Sequence, residues 1–331
     1  MRLISLRSSL PLVPASSFGI ALGTLGLGLA WRTAARAWAL SPMVGEAVLT
    51  LGVAVWAIFA LLYAAKWLLA HMQALAEFQH PVQCCFVGLV PVTCLLVALA
   101  AAPHARGLGI VAFSLGASGT VAFAAYHAGR LWMGGLDASS TTPALYLPTA
   151  AGGFVIAIAA AGFGWQDWGR LAFGAGLFSW LAIESVLLHR LYTGPAFPAA
   201  LRPTLGIQLA PPSVAALAYL NVGSGASDLF AQALIGYAVL QGLLLLRLLP
   251  WIMVEPFAPS YWALSFGAAA LAGAVARLTE RDGTGAIAHL APLLFIAANL
   301  LVLLLTARTL VLLATGKLFP ARAVSIGTAC A

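Results

Sequence analysis

The chain has 331 residues, of which 62% are hydrophobic and only 8% are charged, and its mean hydropathy is +1.00. These values exclude a soluble domain, because a soluble surface needs roughly 25–35% charged residues. The net charge of +7 comes from 16 Lys and Arg that stand singly at the ends of apolar runs. Nucleic-acid binding would need them clustered on one face, so we expect no nucleic-acid partner.

Apolar segments of about 20 residues recur along the whole chain, which predicts an all-α integral membrane protein. Pro11 and Pro14 interrupt the first apolar run, so we interpret residues 1–14 as an uncleaved tail rather than a signal peptide. Ten transmembrane helices are predicted between residues 15 and 315, and residues 316–331 form a second tail. The ten predicted spans are 15–31, 43–69, 82–102, 107–130, 144–163, 168–192, 204–220, 227–249, 260–279 and 286–315.

Loop lengths and prolines both indicate a repeat of helical hairpins. Tight loops such as "APHA" follow the odd spans, whereas longer links such as "HMQALAEFQHP" follow the even spans. A proline, which favours a first helical turn, stands just before every odd span. These five prolines are Pro14, Pro81, Pro143, Pro203 and Pro259. The pattern predicts five hairpins in series.

Further prolines inside the odd spans predict bends at Pro91, Pro148 and Pro211. A membrane tolerates such bends only where the freed carbonyls face protein or a water-filled cavity. The odd helices are therefore predicted to form an inner ring that lines a central pore, with the even helices facing lipid. Bends that serve only packing are the alternative.

The distribution of Lys and Arg favours both termini in the cytoplasm of a multi-pass protein of the bacterial inner membrane. Motifs for hydrolysis, metal binding and nucleotide binding are missing, so we expect neither an enzyme nor a cofactor. Cys84 and Cys85 are chain neighbours, which we interpret as unable to converge on a metal. With Cys94 and Cys330, they are interpreted as small hydrophobic residues.

Glu184 is the deepest carboxylate within a predicted span, and it lies about two turns before His189 and Arg190. Ionisable groups inside a membrane are functional candidates, so Glu184 is a candidate proton site. The alternative is a structural carboxylate that pairs with an arginine such as Arg130 or Arg247.

Isolated phenylalanines stand among small residues in the odd spans, as in "SYWALSFGAAALAGA" at 260–274. Small residues allow close helix packing and also leave space along a central axis. A ring that projects into that space would form a hydrophobic constriction. The predicted pore-lining residues are Phe18, Gly19, Phe86, Phe154, Phe266 and Gly267.

Several ordered motifs resemble the tellurite-resistance/dicarboxylate transporter family, which includes slow anion channels of plant guard cells. They are "FGIALG", "HPV", "PALYLP", "FGAG", "RPTLGIQLAPP", "LRLLPWI" and "WALSFG", and they span nearly the whole chain. The resemblance implies a homotrimer in which each protomer has five hairpins around a quasi-fivefold axis. It also implies that Phe266 is a gate that occludes the pore. Ser185 departs from the family pattern, which has proline there.

The leading hypothesis is therefore an anion channel that conducts small inorganic or organic anions and is gated by Phe266. The alternative is a proton-coupled carrier of small anions such as dicarboxylates, sulfite or tellurite, with Glu184 as its proton site. A non-transporting membrane scaffold is the third hypothesis, although a solid bundle has no use for regular bends in one set of helices.

Overall fold

A computed structural model describes residues 12–319 except 136, 224–227 and 283. The all-α prediction is confirmed, since the described residues contain helices and no strand. The α-helices are α1 (Phe18–Trp38), α2 (Pro42–Leu69), α3 (His71–Gln79), α4 (Gln83–Val87), α5 (Leu89–Ala101), α6 (Arg106–Trp132), α7 (Gly152–Gly162), α8 (Gln166–Thr193), α9 (Ala210–Val222), α10 (Leu229–Ile252), α11 (Ser265–Asp282) and α12 (Gly285–Ala314).

Nine segments of the described chain are long and apolar enough to cross a membrane. The first of the ten predicted spans, 15–31, is not among them. It corresponds to a 3₁₀ turn, Ala15–Ser17, followed by α1, whose second half carries Arg32 and Arg36. Those two charges lower its hydropathy, so the count of ten remains a prediction.

Inner and outer helices differ clearly in burial, as the sequence predicts. In the four odd-numbered predicted spans among the nine, 56–83% of the apolar stretch is buried, against 17–33% in the five even-numbered spans. The five inner helices close a ring, in which α1 contacts α5, α5 contacts α7, α7 contacts α9, α9 contacts α11, and α11 contacts α1. Each outer helix packs on its own inner helix, so the fold is five hairpins in a ring.

Each inner segment begins irregularly before it becomes a regular α-helix. The irregular parts are the 3₁₀ helices Ala15–Ser17, Pro143–Tyr146, Ala199–Leu209 and Pro259–Leu264, the π-helix Leu147–Ala151, and the break at Gly88 between α4 and α5. Pro148 lies in the π-helix, Pro211 in the first turn of α9 and Pro91 in the first turn of α5. These prolines mark where regular helix begins, because a proline in a first turn removes no intrahelical hydrogen bond.

One predicted loop is a helix. The loop pattern predicts that "HMQALAEFQ" is a link, but this sequence forms α3 between α2 and α4. Its apolar residues are too few for a membrane span, which is why a search for apolar runs misses it. A buried ion pair joins this helix to α2, with 2.6 Å between Lys66 Nζ and Glu77 Oε2. The second oxygen of Glu77 accepts a hydrogen bond of 2.8 Å from the Ala15 backbone N–H, which fixes the start of the first inner segment.

Glycine allows the hairpins to pack closely. A Cβ at Gly153 in α7 would lie 2.8 Å from the backbone of Gly176 in α8. A Cβ at Gly116 in α6 would lie 2.9 Å from the carbonyl oxygen of Pro91 in α5. Such close approach of two backbones is typical of helix packing in membranes. There the hydrophobic effect does not drive helices together, and small residues allow the close van der Waals contact that does.

Candidate functional site

A cavity of about 190 Å³ lies on the axis of the ring, and all five inner segments contribute to its lining. Its lining residues come from the beginning of each of those segments. The residues farthest along each segment that still line it are Leu22, Val92, Ala151, Pro211 and Phe266. The axial cavity therefore occupies the irregular part of the inner segments and ends at the level of Phe266.

The lining of the axial cavity is neutral. Among the described residues around it there is no charged side chain, and most of the lining is apolar. Polar groups come from Ser16, Gln83, Thr204 and Ser260. An anion in this cavity would meet hydroxyl and amide donors without facing a carboxylate.

The Phe266 ring is buried, with 8% exposed, and it rests against a glycine of α1. A Cβ at Gly26 would lie 2.9 Å from Cδ2 of the ring and 3.2 Å from Cε2. The ring therefore occupies the space that a side chain at Gly26 would need. Gly26 of α1 thus forms the wall beside the ring.

The residues just before Phe266 hold its position. Ser265 Oγ donates a hydrogen bond of 2.6 Å to the Trp262 carbonyl, and its side chain is fully buried. A Cβ at Gly23 would lie 2.0 Å from that oxygen, so only glycine fits there. The indole of Trp262 donates a 2.8 Å hydrogen bond to Thr309 Oγ1 of α12. The first turn of α11 is thus fixed from two sides.

The other predicted pore-lining residues are divided between two environments. Gly19 and Phe86 line the axial cavity. Phe18 instead packs against Phe59 and Tyr63 of α2, with ring centroids 6.1 and 5.9 Å apart. These rings lie between an inner and an outer helix. A phenylalanine among small residues looks the same in the sequence whether it points to the outer helix or into the axial cavity.

Phe154 and Gly267 also face away from the cavity. Phe154 is fully buried against Phe173 and Trp180 of α8. A Cβ at Gly267 would lie 2.8 Å from the backbone nitrogen of Ala210. Gly267 therefore lets α11 approach the start of α9, which is a packing role.

Glu184 contacts aromatic side chains and makes none of the ion pairs found in the described residues. Its carboxylate accepts hydrogen bonds from the hydroxyls of Tyr146 and Tyr237, the latter at 2.7 Å, and from Trp180 Nε1 at 3.0 Å. Tyr146 also lines the axial cavity. Glu184 therefore links a cavity residue to two outer helices, α8 and α10.

The expected arginine partners of Glu184 lie elsewhere, so that prediction is wrong. Arg130 donates a 3.3 Å hydrogen bond to the hydroxyl of Tyr126, and Arg247 is exposed on α10. The physical reason is that three neutral donors already surround the half-buried carboxylate, and they solvate its charge without a second buried ion.

Comparison with known proteins identifies the family. Residues 13–310 match the family model named SLAC1 and described as voltage-dependent anion channel. The chain belongs to the SLAC1 family. It is 34% identical to the tellurite resistance protein TehA homolog of Haemophilus influenzae, over 93% of each chain. It is 23% identical to the guard cell S-type anion channel SLAC1 of Arabidopsis thaliana, over 76% of this chain and 47% of the plant protein.

A third relative is an uncharacterized transporter of Methanocaldococcus jannaschii, 24% identical over 63% of this chain and 67% of that protein. The family predicted from the motifs is confirmed, and with SLAC1 membership the prediction of a membrane protein that is not an enzyme is confirmed too.

Sequence reasoning missed Tyr146 in this SLAC1 family member. It stands in the quoted motif "PALYLP", but a tyrosine in an apolar span gives no sign of its partner. Its hydroxyl reaches a carboxylate 38 residues later in the chain. Only the packing of the third hairpin, which places α8 beside the 3₁₀ helix Pro143–Tyr146, brings the two side chains together.

Proposed function

We propose that the chain conducts small anions along the axis of its five inner helices, and that the Phe266 ring closes this path. The observation that carries the proposal is the axial cavity, which all five inner segments line and which ends at Phe266. Membership of a family described as voltage-dependent anion channel supports anions as the substrate class.

The character of the cavity favours anions over cations. Its lining in the described chain has no carboxylate that would balance the charge of a cation. An anion would meet the donors of Ser16, Gln83 and Ser260, whereas Thr204 Oγ1 already donates to the Leu201 carbonyl. The absence of basic residues argues for weak binding and rapid passage, with selectivity limited to charge and size.

The Phe266 ring would act as a hydrophobic plug. An apolar ring in a narrow space excludes water, so an ion must lose its hydration to pass beside it. The ring contacts Gly26, which has no side chain to hold it in place. A rotation of the ring away from this wall would open the path while the helices keep their positions.

Anion current across bilayers tests the proposal, with Phe266→Ala compared with the native chain under a nitrate gradient. We expect a small native current and a several-fold larger mutant current that reverses near the anion equilibrium potential. Phe154→Ala is the matched control, because it also removes a buried ring from an inner helix but lies away from the cavity. Equal currents in both variants would refute the plug.

A second candidate function is proton-coupled anion transport, and the link between Glu184 and the cavity residue Tyr146 supports it. Protonation of the carboxylate would remove its negative charge and so weaken the hydrogen bond that Tyr146 of the cavity wall donates to it. Replacement Glu184→Gln separates the two functions. A carrier would lose flux driven by a pH gradient, whereas a channel would keep its passive anion current.

We also propose the assembly and location that the sequence indicates. The chain forms a homotrimer in the bacterial inner membrane, with a pore in each protomer and both termini in the cytoplasm. Residues 15–315 form the transmembrane domain between tails 1–14 and 316–331. Chemical cross-linking in native membranes tests the trimer, and a result no larger than a monomer would contradict it.

A further inference from the structure

A cluster of metal-ligating side chains lies apart from the axial cavity, in the second hairpin. The sulfurs of Cys84 and Cys85 and one ring nitrogen of His127 all lie within 4.8 Å of one another. The distance between Cys85 Sγ and His127 Nε2 is 3.5 Å. The sequence interpretation that the two neighbouring cysteines cannot converge is therefore wrong.

The geometry of the hairpin explains the convergence. Cys84 and Cys85 lie on the short helix α4, and His127 lies on the outer helix α6 that packs beside this segment. Successive side chains on a helix point about 100° apart, which follows from 3.6 residues per turn. An imidazole that stands between the two directions can approach both sulfurs. The convergence needs a third residue 42 positions away from Cys85.

We propose that Cys84, Cys85 and His127 bind one Cu(I) ion. Soft thiolate ligands select Cu(I), and an imidazole nitrogen is a suitable third donor. Distances like those that Zn²⁺ makes to the same donor types, about 2.3 Å to sulfur and 2.0–2.1 Å to nitrogen, would draw the donors to roughly 3.5–4 Å from one another. A side-chain movement of about 1 Å is enough to reach that arrangement from the observed 4.8 Å limit.

Charge and burial favour a monovalent ion. All three side chains are buried, so a site with excess charge would be costly. Two thiolates and one Cu(I) leave a single negative charge, and Arg130 stands at the same cavity. A divalent ion would make the three-ligand site itself neutral, so the positive charge of Arg130 would have no opposite charge there to balance it. Binding releases the two thiol protons to solvent, and no electron is transferred.

The site is accessible from outside the helix bundle. A cavity of about 340 Å³ is lined by Cys84, His127, Arg130 and other residues of this end of the hairpin. Cys85 lies behind, fully buried. An ion entering this cavity meets one sulfur and the imidazole first and then reaches the second sulfur.

A bound ion would join an inner segment to an outer helix. On the same short helix α4, Gln83 and Phe86 line the axial cavity, while Cys84 and Cys85 face α6. Metal binding would therefore fix the position of α4 and raise the thermal stability of the second hairpin, because a ligand that binds only the folded state stabilises it. The site does not depend on the proposed anion conduction.

The test is Cu(I) binding by the purified full-length chain in detergent under reducing conditions, with a Cu(I) chelator as competitor. Copper per chain is measured by mass spectrometry, and the melting temperature is measured with and without Cu(I). We expect one ion per chain and a higher melting temperature. Cys84→Ser and His127→Gln should weaken binding by at least about tenfold, the loss seen even for residues that only support ligands.

Two cysteine variants serve as matched controls. Cys94→Ser removes the other described free cysteine, whose thiol donates to the Ala112 carbonyl on the same hairpin. Cys330→Ser removes the cysteine that lies outside the described residues. Both should bind Cu(I) as the native chain does. His127→Gln keeps both thiols, so it tests the site even if the cysteine variants fail to fold.

Three results would overturn the inference. The first is native binding no tighter than that of His127→Gln, which would show that the imidazole is not a ligand. The second is loss of copper in Cys94→Ser or Cys330→Ser, which would place the ion elsewhere. X-ray absorption of the loaded native chain should show two sulfur ligands and one nitrogen, and a shell of sulfur alone would also overturn it.

Discussion

Replacement of Gly26 by alanine tests whether the closed position of the Phe266 ring requires the free space beside this glycine of α1. The added methyl would lie 2.9 Å from Cδ2 of the ring and 3.4 Å from the Ala269 Cβ. Optimal contact between carbon atoms is about 3.5–4.0 Å, so the ring contact is too short by roughly 0.6–1.1 Å. The ring is the end of a side chain with two rotatable bonds, so it moves more easily than the backbone of α1.

The expected size of the effect follows from the energy of overpacking. An extra methyl in a well-packed site costs typically about 1–3 kcal/mol. If this cost applies only to the present ring position, the balance between closed and open forms shifts by about 5- to 150-fold. The higher helix propensity of alanine acts equally on both forms, because α1 remains a helix in each. Gly26→Ala should therefore raise anion flux.

The assay is nitrate efflux from liposomes at matched protein content. Gly19→Ala is the control, because it adds a methyl to the same helix inside the axial cavity, at an ordinary 3.8 Å from Trp262 Cβ. In a Phe266→Ala background, Gly26→Ala should add nothing further. The reasoning is refuted if Gly26→Ala and Gly19→Ala give equal flux, or if Gly26→Ala still raises flux when the ring is absent.

Three further predictions concern stability, each read as the melting temperature of the purified chain. Glu77→Gln leaves Lys66 buried without a charged partner, which should lower the free energy of unfolding by about 3–5 kcal/mol. Replacing both Lys66 and Glu77 by Met should recover most of that stability. A double variant as unstable as Glu77→Gln would contradict this. Gly153→Ala should destabilise, because its Cβ meets backbone at 2.8 Å, while Gly129→Ala, with nothing within 4 Å, should be neutral or stabilising. Tyr146→Phe removes a hydrogen bond to a carboxylate and should cost about 1.5–3 kcal/mol, and no loss would show that this contact is unimportant.

Outer helices were predictable because lipid imposes one requirement along their whole length. The predicted span 43–69 is observed as Pro42–Leu69, and 286–315 is observed as Gly285–Ala314. Their exposed faces must be apolar over the thickness of the bilayer, so hydropathy locates them. Four of the five inner segments are also among the apolar segments long enough to cross a membrane, but their division into 3₁₀, π and α parts depends on neighbours that hydropathy does not reveal.

The site was only partly predictable for a similar reason. Phe266 could be singled out because its neighbours in sequence are also its surroundings in space. Glu184, by contrast, is defined by tyrosines 38 and 53 residues away, and a deep carboxylate in a sequence suggests an arginine partner just as readily. The cysteines of α4 were misinterpreted because their third partner lies on another helix. In each case the missing information is which helices of the ring are adjacent.

The candidate sites gather where the inner segments are irregular. Phe266 is the second residue of α11, Tyr146 ends a 3₁₀ helix, and Cys84 lies before the break at Gly88. Irregular backbone separates the inner segments enough to leave a cavity, whereas beyond Phe266 the regular helices are packed through small residues such as Ala269 and Ala272. A change at the irregular end therefore alters the cavity, while the five inner helices keep their contacts with one another. A bulky side chain farther along would separate the helices themselves, so its first effect would be on folding rather than on conduction.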